Sequence, residues 1–211
     1  MNLFIQHAYD RIAEKYNQKR SISSELNMLK KFIELLPEKG RVLDAGCGVG
    51  LHSKFLTEHD FKVTGLDISN NMLDLARKNA PKAEFINKDF TKSFFRKESF
   101  DGIVALFSLF NIPRKNHQKV LNMFNKILTR KGLLLISFGC RIGECIVDFL
   151  GTKMFFSNNS YDESEKILSN AGFEKVAEKL ITSTISGRKI EHRLIIASKK
   201  NTEGLRQILN R

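Results

Sequence analysis

The run Val42-Leu43-Asp44-Ala45-Gly46-Cys47-Gly48-Val49-Gly50 sets three glycines and a carboxylate between an apolar stretch and a helical one. Glycines at such a turn let a ligand approach the main chain closely, and a helix start offers free N–H groups. By itself the loop means only that something adenosine-like can bind. Dinucleotide-binding loops space their glycines G-x-G-x-x-G. Here the glycines stand at 46, 48 and 50, and Leu51 follows. Asp44 would also put a carboxylate beside a pyrophosphate, which is unfavourable. It suits a ligand bearing an ammonium or sulfonium. A nicotinamide-dependent dehydrogenase is therefore disfavoured.

Two more acidic side chains end apolar runs. Asp67 closes Val63-Thr64-Gly65-Leu66, where a carboxylate can accept hydrogen bonds from both ribose hydroxyls. Asp89, in Asn87-Lys88-Asp89-Phe90, is the second. A fourth run, Phe100–Leu106, leads into Phe107-Ser108-Leu109-Phe110-Asn111-Ile112-Pro113. In an open parallel sheet ligands bind at the carboxyl ends of the strands. All four elements would meet there.

The elements that must position these groups are legible as periodicity. Apolar residues at helical spacing predict helices over 7–18 (Ala8, Ile12, Ala13, Tyr16) and 23–36 (Leu26, Leu29, Ile33, Leu36). From residue 41 short apolar runs alternate with amphipathic stretches. The runs are 41–45, 62–66, 83–87, 102–107 and 133–138; helices fall near 51–59, 70–79, 115–129 and 160–170. That alternation predicts a parallel sheet with helices on both faces. Gly172 stands where a helix C-cap glycine belongs. Strands near 173–180 and 189–197, joined by a turn at Ser186-Gly187, predict an antiparallel C-terminal hairpin. The expectation is a seven-stranded, mostly parallel α/β fold without a second domain. Residues 1–36 would form an N-terminal helical arm or cap and 37–199 the main domain, with a cap-like insertion at 139–158. Phe149, Phe155 and Phe156 in that insertion could close an apolar pocket or pack in the core. The polar residues 200–211 should fray.

The ordered set closely resembles the class I S-adenosylmethionine-dependent methyltransferases, over roughly residues 7–199, and in particular a subgroup of small bacterial members. Asp44–Gly50 is similar to their V-L-D-x-G-C-G-x-G motif, and Arg130-Lys131-Gly132 to their R-P-G-G turn. The resemblance implies a Rossmann-like fold and S-adenosylmethionine as cofactor, with S-adenosylhomocysteine as product. It implies that Asp44, Ala45, Gly46, Cys47, Gly48 and Gly50 cradle the cofactor. Asp67 and Ile68 would meet the ribose, with Met72 near the adenine, Asp89 and Phe90 at the adenine amino group, and Leu106 and Phe107 near the methyl donor. Tyr16 resembles a tyrosine that relatives use near the donor's methionine part. Where the subgroup often has His, this chain has Asn111.

Methyl transfer from a sulfonium needs no triad or metal cluster, and none is expected. His52, His117, Tyr9 and Tyr16 are the possible bases by residue type, Tyr16 and His52 being the two that can approach the cofactor. His117, in a polar helix start, reads as solvent-exposed.

The chain has 211 residues, 42% hydrophobic and 27% charged, with 35 Lys plus Arg against 23 Asp plus Glu. The net charge of +12 permits a nucleic-acid partner. The basic pairs (30–31, 96–97, 114–115, 130–131, 199–200) are dispersed, however, and read as solvated surface. The Pro-Pro dipeptide of amino-methylating nucleic-acid enzymes is absent at 108–111. A small-molecule acceptor is the leading reading, RNA methylation the alternative, and non-catalytic cofactor binding a third. Cys47, Cys140 and Cys145 form neither a disulfide framework nor a zinc pattern and read as reduced packing residues. No apolar run reaches membrane-span length, and residues 1–20 lack a secretory h-region, so a cytoplasmic location is expected.

Overall fold

The computed structural model describes residues 2–92, 95–140, 143–185 and 188–200. In chain order it begins α1 (Asn2–Lys19), α2 (Leu26–Glu34), β1 (Arg41–Ala45), α3 (Leu51–Glu58), β2 (Lys62–Asp67), α4 (Asn70–Asn79), β3 (Glu84–Asn87) and β4 (Phe100–Ala105). Then come α5 (His117–Ile127), β5 (Leu128–Gly139), β6 (Gly143–Phe149), β7 (Thr152–Asn158), α6 (Tyr161–Asn170), β8 (Phe173–Ile185) and β9 (Arg188–Lys199). Two short 3-10 turns, Leu109–Asn111 and Arg114–Asn116, lie between β4 and α5.

The seven-stranded sheet runs β3-β2-β1-β4-β5-β9-β8. Its first five strands are parallel, and β9 lies antiparallel between β5 and β8. Side chains of one strand alternate between two cores. Ile103 and Ala105 of β4 face the core shared with α5 and α6, where Leu121 and Phe124 are wholly buried. Val104 and Leu106 face the core shared with α2 and α3, built on Leu29, Phe32 and Leu56. Helices thus cover both faces, as the continuous apolar runs require.

Local signals fix the ends. Ser69 caps α4 by accepting a hydrogen bond from Met72 N–H. Ser160 and Glu163 form a reciprocal capping box at α6. Gly172 ends α6 at φ +78°. The turn at Ser186-Gly187 and the expected frayed tail from 201 onward lie outside the described residues.

Several expectations are corrected. The stretch 139–158 contains an antiparallel hairpin, β6 paired with β7 as a separate two-stranded sheet. Its two-residue turn, Leu150-Gly151, has φ +53° and +90°, the geometry that lets a hairpin close tightly. Leucine is an unusual occupant there, which hid the turn. The fourth strand ends at Ala105, short of the expected 107. Strand β5 begins earlier than expected, at Leu128, and its pairing with β4 jumps from Phe100↔Leu128 to Gly102↔Leu133. Residues Thr129–Gly132 are thus the irregular stretch where a turn was expected. The two N-terminal helices also part company. α2 belongs to the core under the sheet, whereas α1 crosses the strand ends and packs on α4 and β7 through Ile5, Ala8, Ile12 and Met154.

Candidate functional site

The carboxyl ends of β1, β2 and β4 open onto one recess of about 730 Å³, open solvent at its mouth included. β1 delivers the glycine turn. Gly46, Gly48 and Gly50 all have positive φ (77°, 52° and 77°). At Gly46 a Cβ would stand 2.4 Å from the Ser108 Cβ, so only glycine lets the turn pass that residue. Gly46 and Gly48 line the recess.

Asp67, at the end of β2, faces them. Its Oδ2 accepts the Gly48 N–H at 2.9 Å and its Oδ1 the Ser69 N–H at 2.9 Å. Each oxygen keeps a second lone pair, which fits the two adjacent hydroxyls of a ribose. Burial raises the Asp67 pKa, and the three backbone N–H groups of Ser69, Gly48 and Ile68 oppose that rise. Ile68, Met72, Phe90 and Leu106 also line the recess, as does Asp89. Asp89 already accepts from the Thr91 N–H (2.9 Å) and hydroxyl (2.7 Å), and its Oδ2 accepts from the Asn2 amide. The donor and acceptor set fits an adenosine moiety.

Four expected residues, Asp44, Ala45, Cys47 and Gly50, are not on the wall. Asp44 is 1% exposed and sits under the turn, where the Ser53 hydroxyl donates to it at 2.6 Å. Burial pushes its pKa up to about 7, with Ser53 opposing and Asp67 adding to the rise. The Cys47 thiol is buried and its pKa raised by that burial. Gly50 is the left-handed N-cap of α3, its absent side chain leaving room for Ala76.

α1 closes the recess from above. Asp10 accepts the Ser69 hydroxyl at 2.5 Å, and its carbonyl accepts the Asn71 amide at 2.9 Å. Tyr16 lies over the glycine turn, its ring 3.9 Å from a Cβ placed on Gly48. Its pKa is raised by burial, with Arg20 opposing, so its hydroxyl keeps its proton at neutral pH. Tyr9 donates to Asn111 Oδ1 at 2.8 Å, and Asn111 donates to the Phe155 carbonyl at 2.8 Å. Those two bonds tie α1, the segment after β4 and the hairpin together.

Neither His52 nor His117 lines the recess. His52 is 7% exposed and 3.4 Å from the Arg20 guanidinium. Burial, then Arg20, push its pKa down to about 3. His117 is 1% exposed rather than solvated. Its Nε2 donates to the Ile112 carbonyl at 2.8 Å, and its Nδ1 accepts the Asn159 amide at 2.6 Å. A polar-looking helix start concealed a buried polar hub. Cys145 is likewise exposed on β6 rather than packed.

Sequence reasoning missed Asn2, Ile5 and Thr91 on the wall, and named Ser108 and Ile112 only as part of the segment after the fourth strand. Ile5 continues the apolar stripe of α1 one turn earlier and could have been found. Phe107, expected near the methyl donor, lines the recess at φ +58°, a conformation costly for a bulky side chain, held by its N–H donating to Ser137 Oγ at 2.6 Å. Among the described residues no group of three His, Cys, Asp or Glu could hold a metal ion. No helix among them is long and apolar enough to cross a membrane.

Residues 42–132 match the sequence profile of a family described as methyltransferase domain. The demethylmenaquinone methyltransferase of Thermotoga maritima is 36% identical over 137 residues, 61% of this chain and 58% of that protein. A probable 18S rRNA (guanine-N(7))-methyltransferase of Dictyostelium discoideum is 30% identical over 148 residues, 62% of this chain and 51% of that one. The chain thus spans little more than half the length of these curated relatives. In fold it is similar to a SAM-dependent methyltransferase of Methanosarcina mazei, with TM-score 0.72 and 23% identity over 80% of this chain and 96% of that one. Residues 42–132 therefore match a methyltransferase domain, and the fold around them is that of S-adenosylmethionine-dependent methyltransferases.

Proposed function

We propose that the protein transfers a methyl group from S-adenosylmethionine to a small-molecule acceptor. The observation that carries this reading is one recess lined both by Asp67 and Asp89 and by Tyr9, Phe107 and Asn111. The carboxylates suit an adenosine, and the rings and amide are left for an acceptor. Asp67 would hold the ribose hydroxyls and Asp89 the adenine amino group, with Met72 and Phe90 beside the base. Tyr16 would shield the methionine part from water. When bound, the cofactor supplies a methyl carbon already activated by the sulfonium. The protein's work is then positioning. Holding an acceptor atom about 3 Å from that carbon, in line, can supply roughly 7–11 kcal/mol.

Two relatives point to different acceptors, a quinone-type small molecule and an rRNA base, by their names. The +12 charge favours the RNA reading. Against it, no Lys or Arg among the described residues lines the recess, and the pairs 30–31, 96–97 and 130–131 are exposed and dispersed. Tritium transfer from labelled S-adenosylmethionine to small-molecule extracts and to bulk RNA tests this. Transfer to the small-molecule fraction is expected. Transfer to RNA with salt-sensitive binding would reverse the ranking. Tight cofactor binding without release of adenosylhomocysteine to any acceptor would favour a non-catalytic protein. Micromolar binding of a nicotinamide nucleotide, without binding of S-adenosylmethionine, would sink the reading altogether.

A further inference from the structure

The first turn of α1 reaches Asp89 across 87 positions of sequence: Asn2 Nδ2 donates to Asp89 Oδ2 at 2.5 Å. Both residues line the recess. Asn2, Ile5, Tyr9 and Tyr16 are the residues of α1 on that wall, and their spacing keeps them on one helix face. Asn2 therefore continues the face that covers the recess. Ile5 and Ala8 are buried in one core with Met72 and Leu75 of α4. That packing holds the turn that carries Asn2.

The bond restricts what Asp89 can still accept. Its Oδ1 takes the Thr91 N–H at 2.9 Å and the Thr91 hydroxyl at 2.7 Å. An ionised carboxylate offers about four acceptor positions. Among the described residues Thr91 fills both on Oδ1 and Asn2 fills one on Oδ2. The position left on Oδ2 calls for a donor. A ligand carbonyl there would set lone pair against lone pair. Asn2 also governs what else reaches that oxygen. A second, open groove, lined in part by Leu3, Lys88 and Lys92, shares Asn2, Ile68 and Asp89 with the recess. Without the Asn2 amide, groove water would bond Oδ2 in its place. Bridging water can donate to a carbonyl as well as accept from an amino group, so it would blunt the choice between them.

We propose that Asn2 is a specificity-determining residue of the cofactor site: by holding Asp89 Oδ2 it makes the carboxylate select the 6-amino group of adenine over a 6-oxo group. This rests on the methyltransferase reading above, with Asp89 at the adenine, and adds to it a residue from the first turn of α1. Asn2 acts through Asp89 and through the water it displaces. It is a positioning residue and takes no part in the transfer itself.

The test is titration calorimetry of the full chain with S-adenosylhomocysteine and with S-inosylhomocysteine, which carries the oxo group in place of the amino group. No turnover is needed. Wild type should favour the adenosyl ligand by roughly a hundredfold, the scale of a hydrogen bond to a charged group. Asn2→Ala should cut that preference to about tenfold, the loss expected of one hydrogen-bond donor, with the melting temperature unchanged. Leu3→Ala, at a side chain 69% exposed, should keep the wild-type preference. An unchanged preference in Asn2→Ala overturns the proposal. So does an equal loss of affinity for both ligands, which would make Asn2 a structural cover alone. A lost preference in Leu3→Ala also overturns it, because a loosened turn would then be the cause. Wild type that binds both ligands equally would remove Asp89 from the adenine and the proposal with it. Wild type that binds neither would strike the methyltransferase reading itself.

Discussion

The two parts of the recess assigned above to cofactor and acceptor are built by different means. The proposed cofactor half is backbone and carboxylate: a glycine turn after β1 and acidic residues at or just past the ends of two neighbouring strands, within a parallel register that aligns Leu43 with Thr64 and Asp67 with Asn87. The proposed acceptor half is side chains from two distant segments, α1 and the residues after β4, tied to the backbone of the β6–β7 hairpin by the Tyr9–Asn111–Phe155 relay. The first kind of wall tolerates almost no change in residue type, because main-chain geometry makes it. The second can be relined one side chain at a time. A family can therefore keep one donor while changing acceptors.

The contrast can be broken most sharply at the glycine turn. Gly46→Ala forces a φ of +77° on alanine and drives its Cβ onto Ser108. Left-handed strain and overpacking together should cost roughly 2–6 kcal/mol, read as a lower midpoint in chemical denaturation. An unchanged midpoint would mean that the turn moves freely and is not a rigid wall. Asp67→Ala should weaken adenosylhomocysteine by roughly 1.5–3 kcal/mol, the scale of hydrogen bonds to a charged group, in titration calorimetry. An unchanged dissociation constant would remove Asp67 from the cofactor half. Tyr9→Phe should do the reverse. It loses about 0.5–1.5 kcal/mol of stability with the Asn111 bond and raises the acceptor KM, while cofactor affinity holds. A cofactor defect in that variant would erase the distinction between the halves.

A further expected effect concerns pH. The Asp44 pKa is raised in the folded chain to about 7 from 3.8. The folded state therefore holds a proton that the unfolded state has lost. Asp44's contribution to stability is full below about pH 4 and fades as pH rises through about 7. The stability difference between wild type and Asp44→Asn should shift in favour of the variant across that window. A difference independent of pH would show that Asp44 is ionised beneath the turn.

The cofactor half was legible because its signals are local. Glycine spacing and acidic strand ends occupy consecutive positions, so Gly46, Gly48, Asp67, Ile68, Met72, Asp89, Phe90 and Leu106 all reach the wall. Asp44 and Cys47 lie off that wall, because a motif marks a turn, not which of its side chains face outward. The acceptor half was hidden because nothing local predicts that Asn111 and Tyr9 meet across a separation of 102 residues. The hairpin was hidden by a leucine at a left-handed turn.

The buried His117 gives the molecule an uneven response to acid. Its imidazole ties the Ile112 carbonyl to Asn159, just beyond the hairpin, and the Ser157 hydroxyl meets the same carbonyl. Burial, the largest influence, holds its pKa below the ordinary histidine value. Its contribution is thus intact above about pH 6.5 and disappears as pH falls through the folded value, where a proton on Nδ1 would turn the Asn159 amide from partner to rival. Asp44 under the glycine turn gains in that same direction. On acidification the chain would therefore slacken first around Ile112 and the hairpin, while the glycine turn above Asp44 holds.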